Sequence, residues 1–152
     1  MTIDNDNTIS TLNNLIETCR DGQNGFQAAS DGVNNSELKK LFLGYSQQRA
    51  QFVGDLQNEV RRLGGDPEQT GSIAASLHRG WMDIKAAVTG KDEGAIIAEC
   101  ERGEDSAVRN YKDALEQNLP ENIRSLVQSQ YAQVQEAHDR VRTLERASGA
   151  SS

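Results

Sequence analysis

The chain has 152 residues, of which 36% are hydrophobic and 26% are charged, so it suits one soluble domain with a continuous core. Its formal net charge is −7, and its basic residues are scattered apart from Arg61 and Arg62, so neither nucleic acid nor a membrane surface is expected as a partner. Only two prolines occur and the β-branched runs typical of strands are missing, which predicts an all-α fold.

The first predicted element is a helix over residues 8–30. Residues 1–7 are polar and acidic, so we expect a flexible tail there and no signal peptide, which would place the protein in the cytoplasm. The apolar stripe of this helix contains Gly22 and Gly25, each of which costs about 1 kcal/mol relative to alanine inside a helix. We expect close packing against a neighbouring element to be the reason for both glycines.

The second helix is predicted over residues 36–63 and is the longest regular pattern in the chain. Asn35 or Ser36 is expected to cap its start, because both side chains can accept a hydrogen bond from the first turn. Its apolar stripe recurs every three or four residues over about 40 Å of helix. Gly64 and Pro67 are expected to end it, the glycine in a left-handed conformation.

Three more helices are predicted in the second half of the chain. They cover residues 72–89, 92–117 and 120–147, and Pro120 fits the first position of the last one because that position needs no backbone donor. Residues 148–152 are predicted to form a flexible end. His78 in the third helix is interpreted as a hydrogen-bond donor and not as a ligand.

The lengths of the connections predict the topology. Residues 31–35 and 118–119 are short enough to force two antiparallel helix hairpins, whereas residues 64–91 are long enough to cross the bundle lengthwise. Two hairpins joined by one long crossover are typical of a ferritin-like antiparallel four-helix bundle, which we expect over residues 8–147. Trp81 is expected to pin the crossover to the outside of this bundle.

Cys19 and Cys100 are far apart in the sequence, and neither belongs to a metal-binding or redox motif. We interpret them as free, partly buried thiols, since cysteine packs as a small hydrophobic residue. This interpretation suits a reducing cytoplasm, with a disulfide or redox pair as the alternative.

An ordered set of short motifs covers almost the whole chain. The set consists of Arg49 with Phe52, Leu63-Gly64-Gly65-Asp66-Pro67, His78-Arg79-Gly80-Trp81, Cys100-Glu101-Arg102-Gly103-Glu104, Tyr111 and His138-Asp139. This pattern resembles an uncharacterised bacterial family of ferritin-like four-helix bundles that carries a domain-of-unknown-function label. The resemblance implies a ferritin-like fold and a bacterial cytoplasmic setting, and it brings no established reaction.

Glu101 and Glu104 lie on the inner stripe of the fourth predicted helix, where di-iron proteins of the ferritin-like group hold metal. Such a centre needs a glutamate from each of two helices and Glu-x-x-His from each of the other two. The chain contains no Glu-x-x-His motif, and amides occupy inner positions instead, namely Gln23, Gln48 and Gln130. An amide cannot supply the negative charge of a carboxylate, so a catalytic di-iron site is not expected.

Three interpretations of this layer stay open. In the first, Gln23, Gln48 and Gln130 form a buried polar layer with one Glu–His pair, in which Glu101 or Glu104 meets His138. In the second, the same two glutamates and His138 bind a single iron or manganese ion. In the third, the carboxylates border a water-filled groove.

Three functions follow from these interpretations. The first is a non-enzymatic, degenerate ferritin-like bundle with a structural, stress-related or protein-interaction role, which self-associates as a dimer and carries no cofactor. The second is a metal-binding or redox-active bundle that uses Glu101, Glu104 and His138, with Cys100 nearby. The third is the binding of a small-molecule or lipid-like ligand between the helices. The sequence contains no recognisable nucleophile elbow or phosphate-binding glycine loop.

Overall fold

The computed structural model describes residues 5–67, 81, 83–90 and 92–150, with side chains as far as residue 147. The regular structure of these residues is helical, which confirms the predicted all-α class. The helices are α1 (Asn5–Gly32), α2 (Ser36–Arg62), α3 (Ile84–Thr89), α4 (Glu93–Leu115) and α5 (Glu121–Ala150).

The helix bounds differ from the predicted ones mainly at the outer ends of the chain. α1 begins at Asn5 instead of residue 8, and α5 continues to Ala150 instead of ending at residue 147. The predicted third helix is described only from Ile84 onward, and its earlier part, with His78, lies outside the described residues. None of the helices in the described ranges is long and apolar enough to span a bilayer.

Both predicted ends of α2 are confirmed. The side chain of Asn35 accepts hydrogen bonds from the backbone amides of Glu37 and Leu38 at 2.9 and 3.2 Å, so Asn35 is the N-cap. Gly64 has a φ of 83°, the left-handed conformation in which a residue with a β-carbon is strained. The amide of Gly65 then bonds to the carbonyl of Val60 at 2.9 Å, which closes the last turn.

The long helices pair as two hairpins, α1 with α2 and α4 with α5, and α1 also packs along α4. Asn110, toward the end of α4, is hydrogen bonded to Thr18 of α1, and Ile96 at the start of α4 lies against Gly32 at the end of α1. These two helices are therefore antiparallel. Gly65 lies against Ile9, near the start of α1. The connection from α2 to α4 therefore begins at one end of α1 and finishes at the other.

The core consists of two apolar clusters, one toward each end of the hairpins. A single stretch of each long helix separates them: residues 20–25 in α1, 43–51 in α2, 101–106 in α4 and 135–140 in α5. Arg49, Glu104 and His138 all fall in this middle layer, between the two apolar clusters.

Trp81 is inserted between α1 and α4, so it anchors the connection to these two helices, in keeping with the pinning role predicted for it. The residue is 8% exposed, and its indole lies directly over Gly25 of α1 and Gly103 of α4. The two glycines form a notch that a β-carbon on either helix would fill. This contact confirms the predicted packing role of Gly25.

Candidate functional site

The middle layer contains a fully buried ion pair between Arg49 of α2 and Glu104 of α4. The guanidinium donates from Nη1 to Oε1 at 2.6 Å and from Nη2 to Oε2 at 2.7 Å. Arg49 is 1% exposed and Glu104 is 0% exposed. Both carboxylate oxygens are thus engaged in the parallel, two-point geometry that makes arginine–carboxylate pairs strong and directional.

The surroundings of Arg49 are shaped to hold its side chain. Gly22 of α1 leaves room for it, because a β-carbon at Gly22 would lie 3.1 Å from Nη1. The guanidinium carbon lies 5.4 Å from the centre of the Phe26 ring, within cation–π distance, and Nε donates to Oε1 of Gln48 at 3.3 Å. The predicted packing role of Gly22 is therefore confirmed, and the neighbour is a charged side chain.

Arg49 stays charged inside the protein. Burial by itself lowers the pKa of Arg49, but the negative charge and hydrogen bonds of Glu104 outweigh it, so the pKa is raised above its ordinary value. The two charges attract each other at 2.6–2.7 Å, which offsets part of the cost of removing them from water. Removal of one partner would leave an isolated charge in the core, which is far more costly than the pair itself.

A second buried polar group connects α1, α4 and α5 next to the ion pair. The hydroxyl of Tyr111 donates to Oε1 of Gln130 at 2.7 Å, and the thiol of Cys19 lies 3.1 Å from the same hydroxyl and donates to it. Burial raises the pKa of Cys19 to about 11, although the bond to Tyr111 opposes the shift. Burial also raises the pKa of Tyr111, with a further contribution from Cys19.

These pKa shifts keep the buried thiols unreactive. Burial likewise raises the pKa of Cys100, with the charges of Glu104 and Glu99 acting in the same direction. The thiolate is the nucleophilic and oxidisable form, and it is disfavoured at both cysteines. Both are free and buried, as the sequence predicted.

His138 lies at the edge of the middle layer, where α5 faces α4. Its Nε2 is 2.5 Å from Oδ1 of Asp105, and its Nδ1 is 3.2 Å from Oδ1 of Asp139. Glu101 accepts a hydrogen bond from Nε of Arg142 at 3.3 Å. The expected pairing of His138 with Glu101 or Glu104 is therefore wrong, because each of the three side chains has a different partner.

The structure distributes the six predicted site residues over several contacts. Gln48 is partly buried and accepts from Arg49, Gln130 is buried and accepts from Tyr111, and Gln23 contributes its backbone carbonyl, which accepts from the hydroxyl of Ser46 at 2.8 Å. Glu101 is bound to Arg142, Glu104 to Arg49 and His138 to Asp105. Among the residues that the structure describes, no three histidine, cysteine, aspartate or glutamate side chains form a group that could hold a metal ion.

The partner of Glu104 is the functional residue that sequence reasoning missed. Arg49 follows Phe42 by seven positions and precedes Leu56 by seven, so it lies on the same apolar stripe as these two core residues. An arginine on an inner stripe needs a buried anion, because an unpaired buried charge is costly. The position of Arg49 on an inner stripe, together with Glu104 on the inner face of another helix, was the sequence feature that could have predicted this pair.

Comparison with known proteins gives a family for the chain. The model of a family described as "Domain of unknown function (DUF2383)" matches residues 7–117, a range that includes both Arg49 and Glu104. No curated protein matches the chain significantly. α5, with Gln130 and His138, lies beyond the matched range. Since the match covers well over half of the chain, the protein belongs to the DUF2383 family of domains of unknown function.

Proposed function

We propose that this protein is a degenerate ferritin-like four-helix bundle in which an internal ion pair takes the place of a di-metal centre. Its role is non-enzymatic and consists of binding another protein chain. The observation that carries the proposal is the two-point contact between Arg49 and Glu104 in the fully buried middle layer.

The ferritin-like arrangement is inferred from how the helices are joined. α1–α2 and α4–α5 are hairpins, and the connection between them begins and ends at opposite ends of α1. One lengthwise crossover between two hairpins is the connection that ferritin-like folds use. The resemblance noted in the sequence supports the same arrangement and a bacterial cytoplasm, which also suits the two buried free thiols.

The residues of the middle layer do not fit a di-metal centre. Metal sites in ferritin-like bundles use several inward carboxylates together with histidines. The negative charge of the carboxylates balances the charge of the metal cations. Here the inward carboxylate of Glu104 already has both oxygens bound to a permanent cation. The neighbouring buried groups on Cys19, Tyr111 and Gln130 are neutral, and Asp21, the other buried acid of the layer, belongs to no group of three possible metal ligands among the described residues.

Metal binding gives the test of this proposal. The purified protein is incubated with Fe(II), Mn(II) or Zn(II), passed through a desalting column and measured by elemental analysis. We expect no stoichiometric metal. We also expect no metal in Glu101→Gln, which removes the partly exposed carboxylate that Arg142 binds.

The contradictory result is equally specific. Stoichiometric iron or manganese in the wild-type protein, lost in Glu104→Gln and in His138→Gln, would overturn the proposal in favour of a metal-binding bundle. Arg49→Met is the informative third variant, because it frees the carboxylate of Glu104. Metal bound only by Arg49→Met would support the proposal, since it would mean that the guanidinium occupies the place of the cation.

A further inference from the structure

An open groove lies between α2 and α5 at the end of the molecule where α2 begins. We call it the α2–α5 groove. Its apolar surface is formed by Leu38 and Leu41 of α2, Ile97 of α4 and Leu144 of α5, and it has a volume of about 660 Å³. α2 makes much less contact with α5 than with α1, so Leu41 and Leu144 stay partly exposed beside the buried Leu38 and Ile97.

Four charged residues surround the groove. Glu37 and Lys40 belong to α2, Glu93 opens α4 and Arg140 belongs to α5. None of them forms an ion pair with another residue that the structure describes, whereas arginines elsewhere, such as Arg49, Arg102 and Arg142, do. Two acids and two bases make the rim electrically balanced, although the whole chain carries a net charge of −7.

Gly44 lies beside the groove and leaves space above the surface of α2. It follows Leu41 by three residues and Lys40 by four, so it lies on the same side of α2. A β-carbon built on Gly44 meets no atom of another element within 4 Å, in contrast to Gly22, Gly25 and Gly103, which lie against Arg49 or Trp81. Gly54 of α2 is equally open, and Gly44 differs from it in lying beside the groove.

We propose that the α2–α5 groove is the surface through which two copies of this chain associate about a two-fold axis. In such an interface each acid of one copy meets a base of the other, and the reverse contact occurs across the axis. The balanced rim avoids like-charge contacts at the interface itself, although each chain has a net charge of −7. Gly44 allows the backbones of two α2 helices to approach closely beside the apolar floor. This inference rests on the protein-binding role proposed above and names the partner as a second copy.

Two glycine variants give a matched test of the interface by analytical ultracentrifugation over a range of concentrations. We expect wild type to dimerise, and Gly44→Arg to raise the dimer Kd by about 30-fold or more, as loss of a central contact does. Gly54→Arg is the control, because Gly54 is equally open and lies about 15 Å farther along α2. We expect this variant to dimerise like the wild type.

Charge exchange tests the rim by a separate route. Lys40→Glu with Arg140→Glu makes the rim acidic, and Glu37→Lys with Glu93→Lys makes it basic. We expect each double variant to be monomeric alone and an equimolar mixture of the two to form a heterodimer. Circular dichroism checks that both fold, which we expect because neither pair of substitutions removes an ion pair of the described chain.

Three results would overturn this interface. They are a wild type that stays monomeric at all concentrations, a dimer that neither Gly44→Arg nor the charge variants weaken, and equal weakening by Gly54→Arg. The metal measurements are independent of these outcomes. A metal-free monomer would overturn the interface alone, whereas a metal-binding dimer would overturn the proposed loss of the metal centre.

Discussion

Gly25 of α1 and Gly103 of α4 face each other across the indole of Trp81, and neither position has room for one more carbon atom. The two helices and the segment that connects the hairpins therefore meet at a single aromatic side chain. Phe26, next to Gly25, packs edge-on against the same indole, with ring centres 5.1 Å apart. A residue on the connection thus becomes part of the core.

Alanine at either glycine should destabilise the protein even though alanine favours helix. We expect Gly25→Ala and Gly103→Ala each to lower the free energy of unfolding by about 1–3 kcal/mol, because an overpacked core must shift to relieve the clash. Gly54→Ala, at an open position of α2, should raise it by about 0.5–1 kcal/mol through helix propensity alone. Urea denaturation measures all three, and a gain in stability at Gly25 or Gly103 would contradict the packing of Trp81.

The Arg49–Glu104 pair should show strong coupling in a double-mutant cycle. Arg49→Met and Glu104→Leu are each expected to cost about 3–5 kcal/mol, because each leaves the other charge buried without a partner. The double variant should cost far less than the sum of the two, since it removes both charges. Additive losses in urea denaturation would mean that the two side chains do not depend on each other.

The Glu101–Arg142 pair supplies the control for that cycle. Its side chains are 21% and 44% exposed, so water and salt screen their attraction. Glu101→Gln and Arg142→Met should each change the free energy of unfolding by about 1 kcal/mol or less. A cost as large as that of Glu104→Leu would indicate that general disruption of α4, and not burial of the charge, dominates both results.

Alkaline pH should destabilise the protein through its buried acids. The pKa of Cys19 is about 11 in the folded chain, against an ordinary value of 9.0, so the unfolded chain releases this proton first as the pH rises. The stabilising contribution is therefore complete below pH 9 and is lost as the pH rises toward 11, by up to about 3 kcal/mol. The raised pKa values of Cys100 and Tyr111 act in the same direction.

The measurement is urea denaturation at several pH values between 8 and about 11, the range set by these thiol and phenol groups. Cys19→Ala should show a smaller loss of stability over this range than the wild type, whatever its stability at pH 8. An unchanged slope in Cys19→Ala would show that the thiol of Cys19 ionises as readily in the folded chain as in the unfolded one.

The N-cap of α2 gives a local prediction with a close control. Asn35→Ala removes the acceptor of two amide groups and should lower the free energy of unfolding by about 1 kcal/mol. Asn34→Ala, one residue earlier in the same exposed turn, should have little effect. Equal effects of the two substitutions in thermal denaturation would contradict the capping role of Asn35.

The sequence predicted the local features of the fold well because they depend on neighbouring residues. The Asn35 cap, the left-handed Gly64 and the long stripe of α2 each follow from a few adjacent positions. It placed Glu104 on an inner face, but it could not choose the partner, because that choice depends on how α2 is rotated and shifted against α4. The level of Arg49 relative to Glu104, and the insertion of Trp81 between Gly25 and Gly103, are set by tertiary packing alone.

The position of the buried ion pair has a consequence for how the protein folds. Arg49 belongs to the α1–α2 hairpin and Glu104 to the α4–α5 hairpin, so each hairpin alone would have one uncompensated charge on its apolar face. Each hairpin alone would also expose its apolar face to water, so neither half is expected to be stable independently. The chain is therefore expected to unfold in one cooperative step.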